Sequence, residues 1–192
     1  METFSDHYSS LYQTLNKYMP NANIDLIERA IRYAEDKLGQ RIKIIDTVSP
    51  NVDDTAEARR EAMATIKKSR ELGADVTLIF HSKVEELVNK NKKAIPRLPD
   101  YLAMIRDEGL VPGLSCHMPE LVTYSDMNGY DVETYIQIFN CMGFLMQVEV
   151  EQVAAIIRNA KKPVMTIKPF AAGRTTRFGR CMRYHCTRHD NR

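Results

Sequence analysis

The sequence predicts an α/β protein built on a parallel sheet of about five strands. Three observations lead there. Five short apolar segments start near residues 42, 75, 110, 133 and 163, at intervals of 33, 35, 23 and 30 residues. Amphipathic helical patterns fill the gaps between them, and parallel neighbours need a crossover of a dozen or more residues. The segments are also apolar throughout rather than alternating, as strands covered on both faces are.

Residues 4 to 19 place Phe4, Tyr8, Leu11, Tyr12, Leu15 and Met19 on one helical face, and Pro20 closes that helix. Ile24, Ile27, Ala30, Ile31, Ala34 and Leu38 form a second stripe, which Gly39 stops. Ile42 to Val48 (IKIIDTV) reads as a buried strand. Asp54 and Glu57 resemble a capping box for a helix carrying Ala58, Ala62, Ile66 and Leu72 inward, with Gly73 as its stop.

Val76 to Phe80 is the next strand, and Ser82 with Glu85 suggests a second capping box on a short helix to about Asn89. Lys90 to Lys93 reads as a solvated connection. Leu102 and Ile105 mark a further helix ending at Gly109. Leu110 to Leu114 is a strand, and Pro119 suits the first position of the helix after it. Glu133 to Phe139 is the fourth strand, Val148 to Ala160 a helix, and Val164 to Ile167 the fifth strand.

Composition narrows the functional classes. The chain has 192 residues, 44% hydrophobic and 27% charged, with a net charge of +2. That is ordinary for a globular domain and gives no overall field for nucleic acid. No apolar run approaches the roughly 20 residues that span a bilayer. The first ten residues lack the basic and apolar pattern of a secretory signal, so a cytoplasmic protein with four reduced cysteines is expected.

Functional side chains cluster where the strand segments end. His81-Ser82 follows the second, Ser115-Cys116-His117 closes the third, Gln137 lies in the fourth, and Lys168 ends the fifth. Ligands bind at the carboxyl ends of strands in such folds. His117 reads as a loop or capping residue, and Cys116 and Cys141 as buried, inert thiols. A desolvated Lys168 has the chemistry to form an imine with a carbonyl.

Four segments resemble the aldo-keto reductase superfamily: EAMATIKKSRELGADVTLIFHS, IRDEGLVPGLSCHMPELV, DVETYIQIFN and AKKPVMTIKPFAAGR, in that order between Arg41 and Arg174. The resemblance implies an incomplete TIM-type barrel, since a full one has about 250 residues. It implies carbonyl reduction with NADP or NAD. His81 then stands at the family's catalytic histidine, and Ser115, Gln137 and Lys168 at cofactor-binding positions, the first two holding the nicotinamide. Cys116 replaces an asparagine, Thr47-Val48 stand where the family has its lysine, and no segment matches the strand with its Asp and Tyr. His81 alone would orient a carbonyl but give little hydride-transfer rate. A non-catalytic barrel binding a ligand or partner is the alternative, with homo-oligomers forming through exposed sheet edges.

The expected organisation is therefore amino-terminal helices over residues 1–40, the barrel segment over 41–174 and a basic, disordered tail over 175–192. From Arg174 to Arg192 there are six arginines and one acid, Asp190. Cys181, His185, Cys186 and His189 do not follow an established zinc spacing, so no metal is expected.

Overall fold

The computed structural model describes residues 22–175, with side chains from residue 29 onward. The helix expected over 4–19 and the Cys/His-containing tail lie outside the described residues. The described residues fall into two units, 22–43 and 44–175.

The first unit holds helix α1 (Ala22–Leu38). Its end is closed by Gly39, whose amide donates to the Glu35 carbonyl at 2.8 Å. The Glu35 carboxylate accepts from the Ile42 amide at 3.1 Å. Lys37 lies over the Tyr33 ring one turn away, 5.5 Å from its centroid.

The second unit is an open parallel sheet of β1 (Ile45–Val48), β2 (Val76–Ile79), β3 (Val111–Cys116), β4 (Thr134–Ile138) and β5 (Val164–Ile167), in that spatial order. All four pairings are parallel. Helices α2 (Ala56–Glu71), α3 (His81–Glu86), α4 (Leu98–Asp107), α5 (Glu120–Asn128) and α6 (Val150–Asn159) run between them, and a 3-10 turn (Ala171–Gly173) follows β5. The strands and helices thus alternate as the intervals require. β1 and β5 each have one strand neighbour, so the sheet does not close on itself among the described residues.

The strand period of two decides what packs where. Val48, Ile79, Leu114 and Tyr135 share one register level, and all join a buried cluster with Ile66 of α2, Leu102 and Ile105 of α4, and Leu121 of α5. Phe139 continues this face against Val153, Ala154 and Ile157 of α6. A buried Ser69 to Thr77 hydroxyl pair at 2.9 Å ties α2 to β2. Tyr135 donates to Asp126 of α5 at 2.8 Å, and burial together with that carboxylate pushes its phenol well above the usual range. On the opposite face Gly113 lets Leu78 and Thr134 approach β3; a Cβ there would lie 2.4 Å from Leu78 Cδ2 and 2.9 Å from the Thr134 carbonyl oxygen.

Three local expectations are corrected. The Asp54–Glu57 capping box does not form, because the Asp54 carboxylate faces Arg97 at 3.5 Å and Arg59 at 3.9 Å. Thr55, in extended conformation, caps α2 instead, its Oγ1 accepting from the Ala58 amide at 3.0 Å. The Ser82–Glu85 box does not form either. The cap falls two residues earlier, on Phe80, so that α3 begins at His81, and Glu85 accepts from the Met118 amide 33 residues away. IKIIDTV is not a buried strand throughout: only Ile45–Val48 pairs, and Ile45 is 42% exposed because it stands on the sheet edge.

Candidate functional site

Parallel register brings the sequence-picked residues to one end of the sheet. Take Ile79, Leu114, Tyr135 and Val164 as one level. Ser115 then stands one residue beyond it, His81 and Gln137 two, His117 three and Lys168 four. All lie at the carboxyl ends of their strands, where backbone groups leave the ladder and side chains are free to meet a ligand.

Three of these side chains meet. The imidazoles of His81 and His117 stack, with centroids 3.5 Å apart and planes inclined by 16°. Lys168 Nζ lies 3.3 Å from His117 Nε2. The group thus draws on the ends of β2, β3 and β5. Glu85, one turn along α3 from His81, places a carboxylate oxygen 3.8 Å from His81 Nδ1. That is too long for a hydrogen bond, and among the described residues the buried Nδ1 has no hydrogen-bond partner.

Burial sets the charge state. His117 is lowered to about 4, by desolvation first and then by the neighbouring His81 and Lys168. His81 is also lowered, chiefly by desolvation and further by Lys168, with Glu85 acting the other way. Both rings are therefore neutral at pH 7, and stacking two neutral rings avoids the repulsion of two imidazolium ions. Desolvation likewise lowers the Lys168 amine. Since an ammonium has donors only, the Lys168 contact leaves His117 Nε2 as acceptor and the ring proton on Nδ1.

Ser115 and Gln137 do not join this group. Ser115 alternates with Cys116, which packs in the helix-side core, so Ser115 faces the other side of the sheet. Gln137 is in register with Cys116 and lies between Tyr135 and Phe139 on the helix side. It is fully buried, its Nε2 donating to the Ile138 carbonyl at 3.2 Å and its Oε1 unpartnered among the described residues. A nicotinamide carboxamide held between Ser115 and Gln137 would have to reach both faces at once. These two residues therefore do not fit the cofactor in the arrangement the resemblance implies.

The sequence reading missed His117. One signal was present: two consecutive units both place a histidine immediately beyond an apolar strand. What the sequence lacked was the register, which sets these two rings one level apart. Elsewhere, a groove of about 390 Å³ between α5 and α6 is lined by Val122, Met127, Ile156 and Ala160 and shares no residue with the rim. Among the described residues no group of three His, Cys, Asp or Glu could hold a metal ion, and no helix is long and apolar enough to cross a membrane.

Compared with known proteins, the chain matches no family model and no curated protein.

Proposed function

We propose that this chain is an aldo-keto reductase-like protein whose strand ends bind a small carbonyl compound. The observation that supports this is the meeting of His81, His117 and Lys168 at the carboxyl ends of β2, β3 and β5. In this reading the Lys168 ammonium donates to the carbonyl oxygen and stabilises charge gathering there, while the stacked imidazoles fix its position. Carbonyl reduction with NADP or NAD is what the resemblance would add, and it would need a nicotinamide seat other than Ser115 with Gln137. His81 keeps the position of the family's histidine, and Lys168 takes over the role of proton-bearing group that the family gives to tyrosine.

A second reading has its own support: a protein that binds the carbonyl compound or another chain without catalysis. Ser115 and Gln137 lie on opposite faces, which weakens the nicotinamide half of the site more than the carbonyl half. Among the described residues β1 and β5 each pair with one strand only, and homo-oligomerisation through their outer edges belongs to this reading. Free Cys116 and Cys141 suit a cytoplasmic setting.

Fluorescence titration with NADPH and NADH, together with a panel of small aldehydes, separates the two. Micromolar cofactor binding, with turnover lost in His81→Ala, is the outcome expected of a reductase. No cofactor binding up to millimolar concentration, with aldehyde binding intact, would leave the non-catalytic reading.

A further inference from the structure

We infer that Lys168 is an imine-forming nucleophile toward small aldehydes, a step that rests on the carbonyl-binding reading and goes beyond holding the oxygen. The geometry around this lysine differs from that of a surface lysine in three respects.

Its first distinction is its partner. Lys168 contacts an imidazole nitrogen at 3.3 Å, and burial alone acts on its basicity, with no carboxylate charge among the causes. A carboxylate would hold the ammonium form by its charge; a neutral imidazole lone pair holds it less strongly. Two other lysines of the unit do have carboxylate partners, Lys162 with Glu133 at 2.9 Å and Lys83 with Glu86 at 2.9 Å. Its second distinction is the backbone. Lys168 adopts φ +59°, and Ala171 and Ala172 follow at +49° and +54°. Such left-handed conformations in residues with a Cβ cost about 1 kcal/mol or more each and persist where the surroundings impose them. Here the turn ends β5 at Ile167 and leaves the next side chain at the strand ends beside His117. The third distinction is the neutral base. His117 stacks on His81 and keeps its Nε2 lone pair toward the amine.

These parts suffice for the reaction. The free amine of Lys168 adds to the carbonyl carbon, forming a C–N bond while the C=O electron pair moves to oxygen. His117 Nε2 accepts one proton from the ammonium nitrogen so formed and returns it to the alkoxide, giving a carbinolamine. The nitrogen lone pair then expels hydroxide, which takes the remaining N–H proton and leaves as water. Amine and aldehyde become imine and one water, with no oxidant or reductant consumed.

Trapping tests the inference within the wild-type full chain. It is incubated at neutral pH with glycolaldehyde or glyceraldehyde and sodium cyanoborohydride, which reduces an imine to a stable secondary amine. Peptide mapping then gives the labelling rate of each lysine. An amine of lowered basicity carries a larger free fraction at neutral pH, so Lys168 is expected to react several-fold faster than Lys90, Lys92 and Lys93. Unfolding in urea should erase that preference, and His117→Asn should reduce it. Because the lysines are compared within one chain, the result does not depend on whether a Lys168→Arg variant folds. Labelling of Lys168 no faster than of the exposed lysines would overturn the inference. Saturation-transfer NMR with the same aldehydes keeps the two readings apart. Binding without Lys168 labelling removes the imine and leaves the carbonyl site; neither binding nor labelling removes both.

Discussion

Replacing Gly113 by alanine should destabilise the second unit by about 1–3 kcal/mol, the usual cost of overpacking a filled site. The added Cβ would stand 2.4 Å from Leu78 Cδ2, 2.9 Å from the Thr134 carbonyl oxygen and 3.0 Å from Thr134 Cγ2. Leu78 is fully buried, so its methyl has to retreat about 1 Å within a packed site, at about 0.5–1.5 kcal/mol for a displaced rotamer. The Thr134 oxygen is backbone, and Thr134 is the register partner of Gly113, so it moves only if the β3–β4 pairing gives. Against this, alanine restricts the unfolded chain and returns up to about 1 kcal/mol. Steric cost wins because two of the three contacts involve Thr134 of the paired strand. With a urea slope of about 2 kcal/mol/M, the midpoint followed by far-UV circular dichroism should fall by about 0.5–1.5 M. Leu78→Ala in the same background should cost less than it does alone, because it removes the clashing methyl. A midpoint unchanged or raised in Gly113→Ala would refute the packing of β2, β3 and β4 described above.

Two further outcomes follow from the buried polar groups. Tyr135→Phe removes the donor to Asp126, whose second oxygen also accepts from the Lys161 amide at 2.8 Å, and should cost about 1–2 kcal/mol in urea unfolding. Stability should also fall with pH between about 7 and 5. His81 and His117 are lowered in the folded chain, so below their ordinary pKa of 6.5 the unfolded chain takes up protons that the folded chain refuses. The penalty is absent above pH 7 and grows toward pH 4. Asp131 and Glu133, held down by hydrogen bonds from Arg106 and Lys162, act in the same direction only once carboxylates begin to protonate. His117→Asn should therefore flatten the urea-midpoint profile between pH 7 and 5, and an unaltered slope would count against a partly buried, neutral ring.

Strand positions were legible because burial writes them into composition. The segments VTLIF and VMTI can do little else than sit in a sheet, and their spacing gives parallel order. Caps were less legible. Asp54 and Thr55 are both good capping residues, and the choice fell to Thr55 because two arginines, one of them 43 residues on, engage Asp54. Glu85 was lost to its local box for the same kind of reason, a backbone amide on the far side of β3. His81 and Lys168 were visible as polar residues ending apolar runs. Ser115 and Gln137 looked like their companions, but a period of two separates faces as firmly as distance does. Residue spacing alone does not reveal which parity meets the helices.

That parity explains why the side chains that meet at the strand ends are bases. The helix face of the sheet is closed by Leu114, Cys116, Tyr135 and Gln137, all buried, and burial drives the Cys116 thiol strongly upward. Chemistry that needs water or a ligand must therefore begin where the strands stop. There, β2 turns directly into α3 at His81, β3 runs on to His117, and β5 turns left-handed at Lys168. Three basic groups brought together would repel one another if all were charged, so burial resolves the conflict by keeping both rings neutral and weakening the amine. A weakened amine beside an unprotonated imidazole is poorly suited to holding a fixed anion such as phosphate, which calls for permanent charge. It is well suited to an uncharged electrophile, and a small carbonyl compound is the simplest ligand of that kind.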